Sequence, residues 1–113
     1  MELARQGQYD AAIAEFNAAI QEDPNDAQAY ERRGFAYRSQ KKYNEAIADY
    51  SKSLEIKPDA NTYAKRGYTY VMYLHDYEKG IADYEQALKL NPDDSDIQQR
   101  LQYARTMTKA RAK

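Results

Sequence analysis

Few side chains in this sequence could do covalent or acid–base chemistry. His75 is the one histidine in 113 residues, and it stands beside Asp76. Such a pair can act as a base and its orienting group, but only with a nucleophile or substrate in reach. No serine–histidine arrangement, glycine-rich phosphate loop or helically spaced set of metal ligands accompanies it. There is no cysteine, which removes thiolate nucleophiles, thiolate metal sites and disulfides. His75 reads as an exposed turn residue, and Asp93-Asp94 as the start of a helix. The expectation is a protein that is not an enzyme and uses no cofactor or metal.

The chain is richer in groups that make contacts. It has twelve tyrosines and two phenylalanines, and their spacing is ordered by a repeat. Tyr43 to Pro58 reads YNEAIADYSKSLEIKP, with Tyr43, Ala46, Ile47, Tyr50, Leu54 and Ile56 mostly at steps of three and four, one face of a helix. Pro58 closes the segment, because proline cannot continue a helix. The same segment recurs as YDAAIAEFNAAIQEDP from Tyr9 and YEKGIADYEQALKLNP from Tyr77, so that Pro24, Pro58 and Pro92 lie 34 apart. A fixed period of this size predicts a stack of helical hairpins.

Taken in order, residues 1–24 read as a hairpin with its first half cut short. Gln6-Gly7-Gln8 makes the turn and a helix runs from about Tyr9 to Glu22. Residues 25–58 form a complete unit, capped by Asn25 or Asp26. Gly34 inside its first helix marks a close approach between helices, since glycine there costs about 1 kcal/mol relative to alanine. Residues 59–92 repeat the plan with a slip: Tyr63, Gly67 and Tyr70 follow Tyr30, Gly34 and Tyr37 by 33. The compensating insertion is expected in the turn Val71–Asp76, and Gly80 keeps a close helix contact. Residues 93–113 are a closing helix with Ile97, Leu101, Ala104 and Met107 on its apolar stripe and a polar outer face that shields the last seam.

Charge adds little at the level of the whole chain, whose net value is −1. Residues 1–94 carry 12 basic and 17 acidic side chains, and residues 95–113 carry five and one. The basic tail suits the negative end of a helix dipole. Neither nucleic acid nor a membrane is an expected partner, and no apolar run reaches spanning length. The compartment stays open, with the cytoplasm slightly favoured.

The units resemble the tetratricopeptide repeat (TPR) family. In the complete unit the family pattern falls on Tyr30, Gly34, Tyr37, Tyr43, Ala46, Tyr50 and Pro58, with Arg33 where leucine is usual and Ser53 where alanine is usual. In the next it falls on Tyr63, Gly67, Tyr70, Tyr77, Gly80, Tyr84, Ala87 and Pro92. In the first half-unit it falls on Tyr9, Ala12, Phe16, Ala19 and Pro24. The resemblance implies an all-α fold: antiparallel helix–turn–helix repeats stacked as a right-handed superhelix with a C-terminal capping helix. It also implies a single non-catalytic scaffold domain over residues 1–113, whose concave groove binds a peptide or helix of another protein. The position after the repeat glycine faces that groove in the family, which places Phe35, Tyr68 and Tyr103 there, with Met72 extending the stripe and Arg38 and Lys65 beside it. The family's carboxylate clamp is not expected. Glu31 and Phe35 stand where lysine and asparagine would be needed, and only Asn61 and Lys65 echo the pattern. Arg32, Arg38 and Lys65 would favour an acidic ligand. A second expectation comes from the shortened first unit. Leu3, Ile13 and Phe16 lack part of their usual cover; either residues before Met1 in a longer array supply it, or a second copy of the chain does, giving a homodimer.

Overall fold

The computed structural model describes the backbone of residues 2–112 and the side-chain surroundings of residues 5–111. Among the described residues there are six α-helices and no strand: α1 (Glu2–Glu22), α2 (Ala27–Ser39), α3 (Tyr43–Ile56), α4 (Ala60–Tyr68), α5 (Tyr77–Leu90) and α6 (Ser95–Ala112). A π-helical turn, Thr69–Tyr73, continues α4. The chain divides into two compact units, Met1–Lys57 and Pro58–Lys113.

Aspartates start four of the helices. Asp26, Asp59, Asp76 and Asp94 each accept a hydrogen bond from the backbone N–H three residues on, at 3.1, 3.0, 3.3 and 3.2 Å. Each satisfies a donor that the first turn leaves without an intrahelical acceptor. The two hairpins reverse at Lys41 and His75, 34 residues apart, with φ of 65° and 55°. Histidine is one of the residues that tolerates this left-handed conformation, so His75 sits in the turn for a backbone reason.

In unit one α2 and α3 close on Ala29, Ala36, Ala46, Tyr50 and Leu54. Gly34 is the point of close approach: a Cβ there would stand 3.0 Å from Tyr50 Cε1 and 3.2 Å from the Ala46 carbonyl oxygen. In unit two α4, the π-turn, α5 and α6 enclose Val71, Tyr77, Tyr84, Ala87, Ile97, Leu101 and Ala104, with Met107 packed at the edge. The apolar stripe read for the closing helix is the face that is buried.

Two expectations are corrected. Gln6-Gly7-Gln8 is not a turn: α1 runs unbroken through it, and Gly7 does not adopt a positive φ. Within α1 the helical hydrogen bonding continues through Gly7 from Glu2 to Glu22. The second correction concerns the slip. The turn before Tyr77 is not lengthened; it keeps the register of the turn before Tyr43. The extra residue lies in the helix, where Leu74 N–H donates to Thr69 O at 3.2 Å, an i→i+5 bond. Val71, expected in an apolar turn, is core at 2% exposure.

Candidate functional site

The aromatic residues singled out by spacing fall on the first helix of each hairpin and on α6. In unit two three of them converge. Tyr68 at the end of α4, Met72 in the π-turn and Tyr103 on α6 line one cavity of about 280 Å³, with Val71, Tyr84 and Arg100. Met72 and Tyr103 are 42% and 48% exposed. Tyr84 is buried and reaches the cavity from α5. The Arg100 guanidinium lies 4.9 Å over the Tyr68 ring, and its Nε is 3.1 Å from Asp96 Oδ2 one turn earlier. Tyr68 also meets Tyr73 edge to face, with ring centroids 5.9 Å apart. The result is a small aromatic cup with one cation and one carboxylate at its rim.

Phe35 and Arg38 belong to unit one. Phe35 is 43% exposed, and the Arg38 guanidinium stacks 4.8 Å over its ring. Lys65 does not line the unit-two cavity; it is half-buried on α4, and its carbonyl accepts from the Thr69 hydroxyl at 2.8 Å. Ile13 and Phe16 are half-buried on α1. Leu3, grouped with them by sequence, lies outside the residues with described side chains.

The arrangement also contains paired charges that sequence reasoning did not assign. In unit one Arg33 donates from Nε and Nη2 to the two Asp49 oxygens, both at 2.7 Å, and from Nη1 to Asn17 Oδ1 at 2.8 Å. In unit two Arg66 grips Asp83 the same way, at 2.8 and 2.7 Å. The aspartate in each case holds the guanidinium above its ordinary pKa. Tyrosines flank both: Tyr30 and Tyr37 lie 5.4 and 5.9 Å from Arg33, and Tyr63 lies 5.8 Å from Arg66. A signal was available, since arginine stands at an apolar position of the pattern and aspartate recurs 34 residues apart at 49 and 83. Arg100 was legible too, because a residue three before Tyr103 shares its helix face.

His75 contacts Tyr77 and Arg111. Its Nδ1 is 3.4 Å from the Tyr77 hydroxyl, and its carbonyl accepts from Arg111 Nη1 at 3.1 Å. Among the described residues no three histidine, aspartate or glutamate side chains gather closely enough to hold a metal ion. No described helix is long and apolar enough to cross a membrane.

Comparison with known proteins places these features in context. Residues 27–59 and 60–94 each match a family model described as tetratricopeptide repeat, and residues 2–40 match one described as TPR repeat. The fold is similar to that of MamA, at 22% identity and a TM-score of 0.83 over 90% of this chain; the match spans only 60% of the MamA chain. It is similar to the first TPR domain of Spaghetti (RPAP3) bound to the HSP90 peptide SRMEEVD, at 26% identity and a TM-score of 0.82, over 99% of this chain and 86% of that one. The first TPR domain of human RPAP3 is 24% identical, with a TM-score of 0.83 over 96% and 86% of the two chains. No curated protein matches the sequence.

Proposed function

The chain belongs to the tetratricopeptide repeat family, a fold of protein-interaction scaffolds, and from that premise we propose that it binds a peptide or helix of a protein partner through the Tyr68–Met72–Tyr103 surface of unit two. One observation carries the reading: a flexible methionine and an aromatic ring, each more than two-fifths exposed, border a cavity of side-chain size. Large apolar groups around a concavity are the usual anchors of interfaces, and methionine can adapt its shape to the partner. The peptide bound by the Spaghetti TPR domain supports peptide as the ligand class. Phe35 and Arg38 offer a separate contact on unit one, and Lys65, one turn before Tyr68 on α4, adds a positive charge to unit two.

The test is a random-peptide display selection against the full chain, followed by affinity measurement on Tyr68→Ala and Tyr103→Ala. Selected peptides should lose roughly tenfold or more in affinity with either variant, as anchor residues do. Peptides that bind both variants as tightly as the parent chain would sink the reading.

A second reading, self-association through α1, rests on a different observation. Phe16, Tyr50 and Tyr84 are equivalent repeat positions, 34 residues apart. Tyr50 and Tyr84 are 0% and 1% exposed, whereas Phe16 is only half-buried, and so is Ile13 on the same helix. A second copy laid against α1 would complete the cover that a first helix gives Tyr50 and Tyr84.

A further inference from the structure

The two hairpins differ by one residue, and that residue makes the cavity. From cap to turn, Asp26 to Gln40 is one residue shorter than Asp59 to Leu74, while Lys41 and His75 keep the same turn register. The surplus is absorbed as the π-turn Thr69–Tyr73. Single π-turns inside helices concentrate at functional sites, because they re-aim side chains at a cost in hydrogen-bond geometry. Here the effect is specific. Val71 turns inward to 2% exposure, over the place where Gly80 has no side chain, and its neighbour Met72 turns outward to 42%. Both line the cavity. In α2 the residue after Tyr37 is Arg38, stacked on Phe35, so the corresponding surface there is cationic.

We propose that the π-turn is a specificity device: it builds a pocket that takes one leucine or methionine side chain from a partner segment with acidic flanks. This rests on the peptide-binding reading and narrows it. The volume of about 280 Å³ lies just under the range of roughly 300–1,000 Å³ for small-molecule clefts, which suits a single side chain. Val71 and the Tyr84 ring are its buried lining, Tyr68 and Tyr103 its aromatic walls, and Met72 adapts to the guest. The flanks follow from charge. Arg100 at the rim is held by Asp96 in an ion pair exposed on both sides, a weak contact that a ligand carboxylate can replace. Among the described residues Arg100 is the one basic residue lining the pocket, and Asp96 is the carboxylate that a ligand would have to displace from it.

The experiment uses the full chain and acetylated, amidated nonapeptides with a central leucine, methionine, phenylalanine, alanine or lysine between glutamates. A leucine peptide with lysine flanks completes the set, and binding is read by fluorescence anisotropy. Leucine and methionine peptides should bind roughly tenfold or more tighter than alanine, and lysine flanks should abolish the gain. Deleting Val71 together with Gly80→Ala restores the register of α2 and α3. That variant should melt cooperatively yet no longer distinguish leucine from alanine. If it does not fold, Met72→Glu, which alters an exposed side chain at the pocket mouth, must give the same loss. Equal binding of leucine and alanine peptides, or a preference that survives in these variants, overturns the pocket while leaving peptide binding intact. If no peptide of the set binds, the acidic, apolar-anchor class is wrong, and the display selection decides the broader reading by itself.

Discussion

Arg33 and Arg66 occupy equivalent places in the two hairpins, where the repeat pattern favours an apolar residue, and each is held by both oxygens of one aspartate. The side chains of Asp49 and Asp83 are 8% and 5% exposed. Planar bidentate geometry of this kind fixes orientation as well as sign, so each pair pins the rotation of one helix against the other. Its net contribution is modest, because desolvating two charges offsets most of their attraction. The buried tyrosines behave differently. Burial pushes the Tyr50 and Tyr84 hydroxyls up to about 12, from an ordinary value near 10. The folded state therefore holds these protons more tightly than the unfolded chain. Their contribution is complete below about pH 10 and is lost as pH rises toward 12. The Tyr50 hydroxyl also has no hydrogen-bond partner among the described residues. Tyr50→Phe is expected to leave neutral-pH stability unchanged or raise it by up to ~1 kcal/mol, and to move the alkaline unfolding midpoint upward. Urea melts at neutral pH and phenolate absorbance against pH would check both; a clear loss at neutral pH would mean that the hydroxyl is satisfied after all.

The elements show how a one-residue misfit is accommodated. The π-turn leaves the hairpin turn untouched and swings Val71 into unit two, and the cost falls on the facing helix. A Cβ on Gly80 would collide with Val71 Cγ2 and stand 3.1 Å from the Gly67 carbonyl oxygen. Alanine serves at the equivalent place in α3, Ala46, which is fully buried. The small residue and the inserted valine are therefore coupled. Gly80→Ala alone should destabilise by about 2 kcal/mol through overpacking. Combined with Val71→Ala it should cost less than the sum of the two single changes. A double-mutant cycle measured by chemical denaturation decides the matter: strict additivity would show that Val71 does not set the size of residue 80.

At the scale of the whole molecule, the question is what meets the half-covered face of α1. If a second copy does, light-scattering chromatography should give a mass that rises from one chain toward two with concentration. Phe16→Glu should hold it at one chain. A mass of one chain at every concentration would end the self-association reading and leave the unit-two cavity as the surface through which the scaffold works. Because Phe16 is half-buried, helical content and melting of the variant must be compared with the parent chain, so that loss of association is not mistaken for loss of fold.

Much of this was determined by local sequence. The 34-residue period, the capping aspartates, the glycine at 34 and the stripe Ile97–Leu101–Ala104 each depend on contacts within a helix or between adjacent helices, and spacing encodes those directly. Repeat equivalence singled out Phe35, Tyr68 and Tyr103, and a spacing of four from Tyr68 added Met72; of these, Tyr68, Met72 and Tyr103 line one cavity, while Phe35 belongs to unit one. Tertiary structure decided the rest. Gly7 is compatible with a turn and with a helix interior, and the unbroken hydrogen bonding of α1 decides for the helix. The placement of one extra residue depends on comparing a longer turn with a π-turn that buries Val71, and only the packed partner, with its vacancy at Gly80, tips that comparison. The grip of Arg66 on Asp83, and the cup that gathers Arg100 with the three candidates, required helices distant in sequence to meet. Periodicity gives the face of each helix; which side chains touch across two faces is set by how closely the backbones approach.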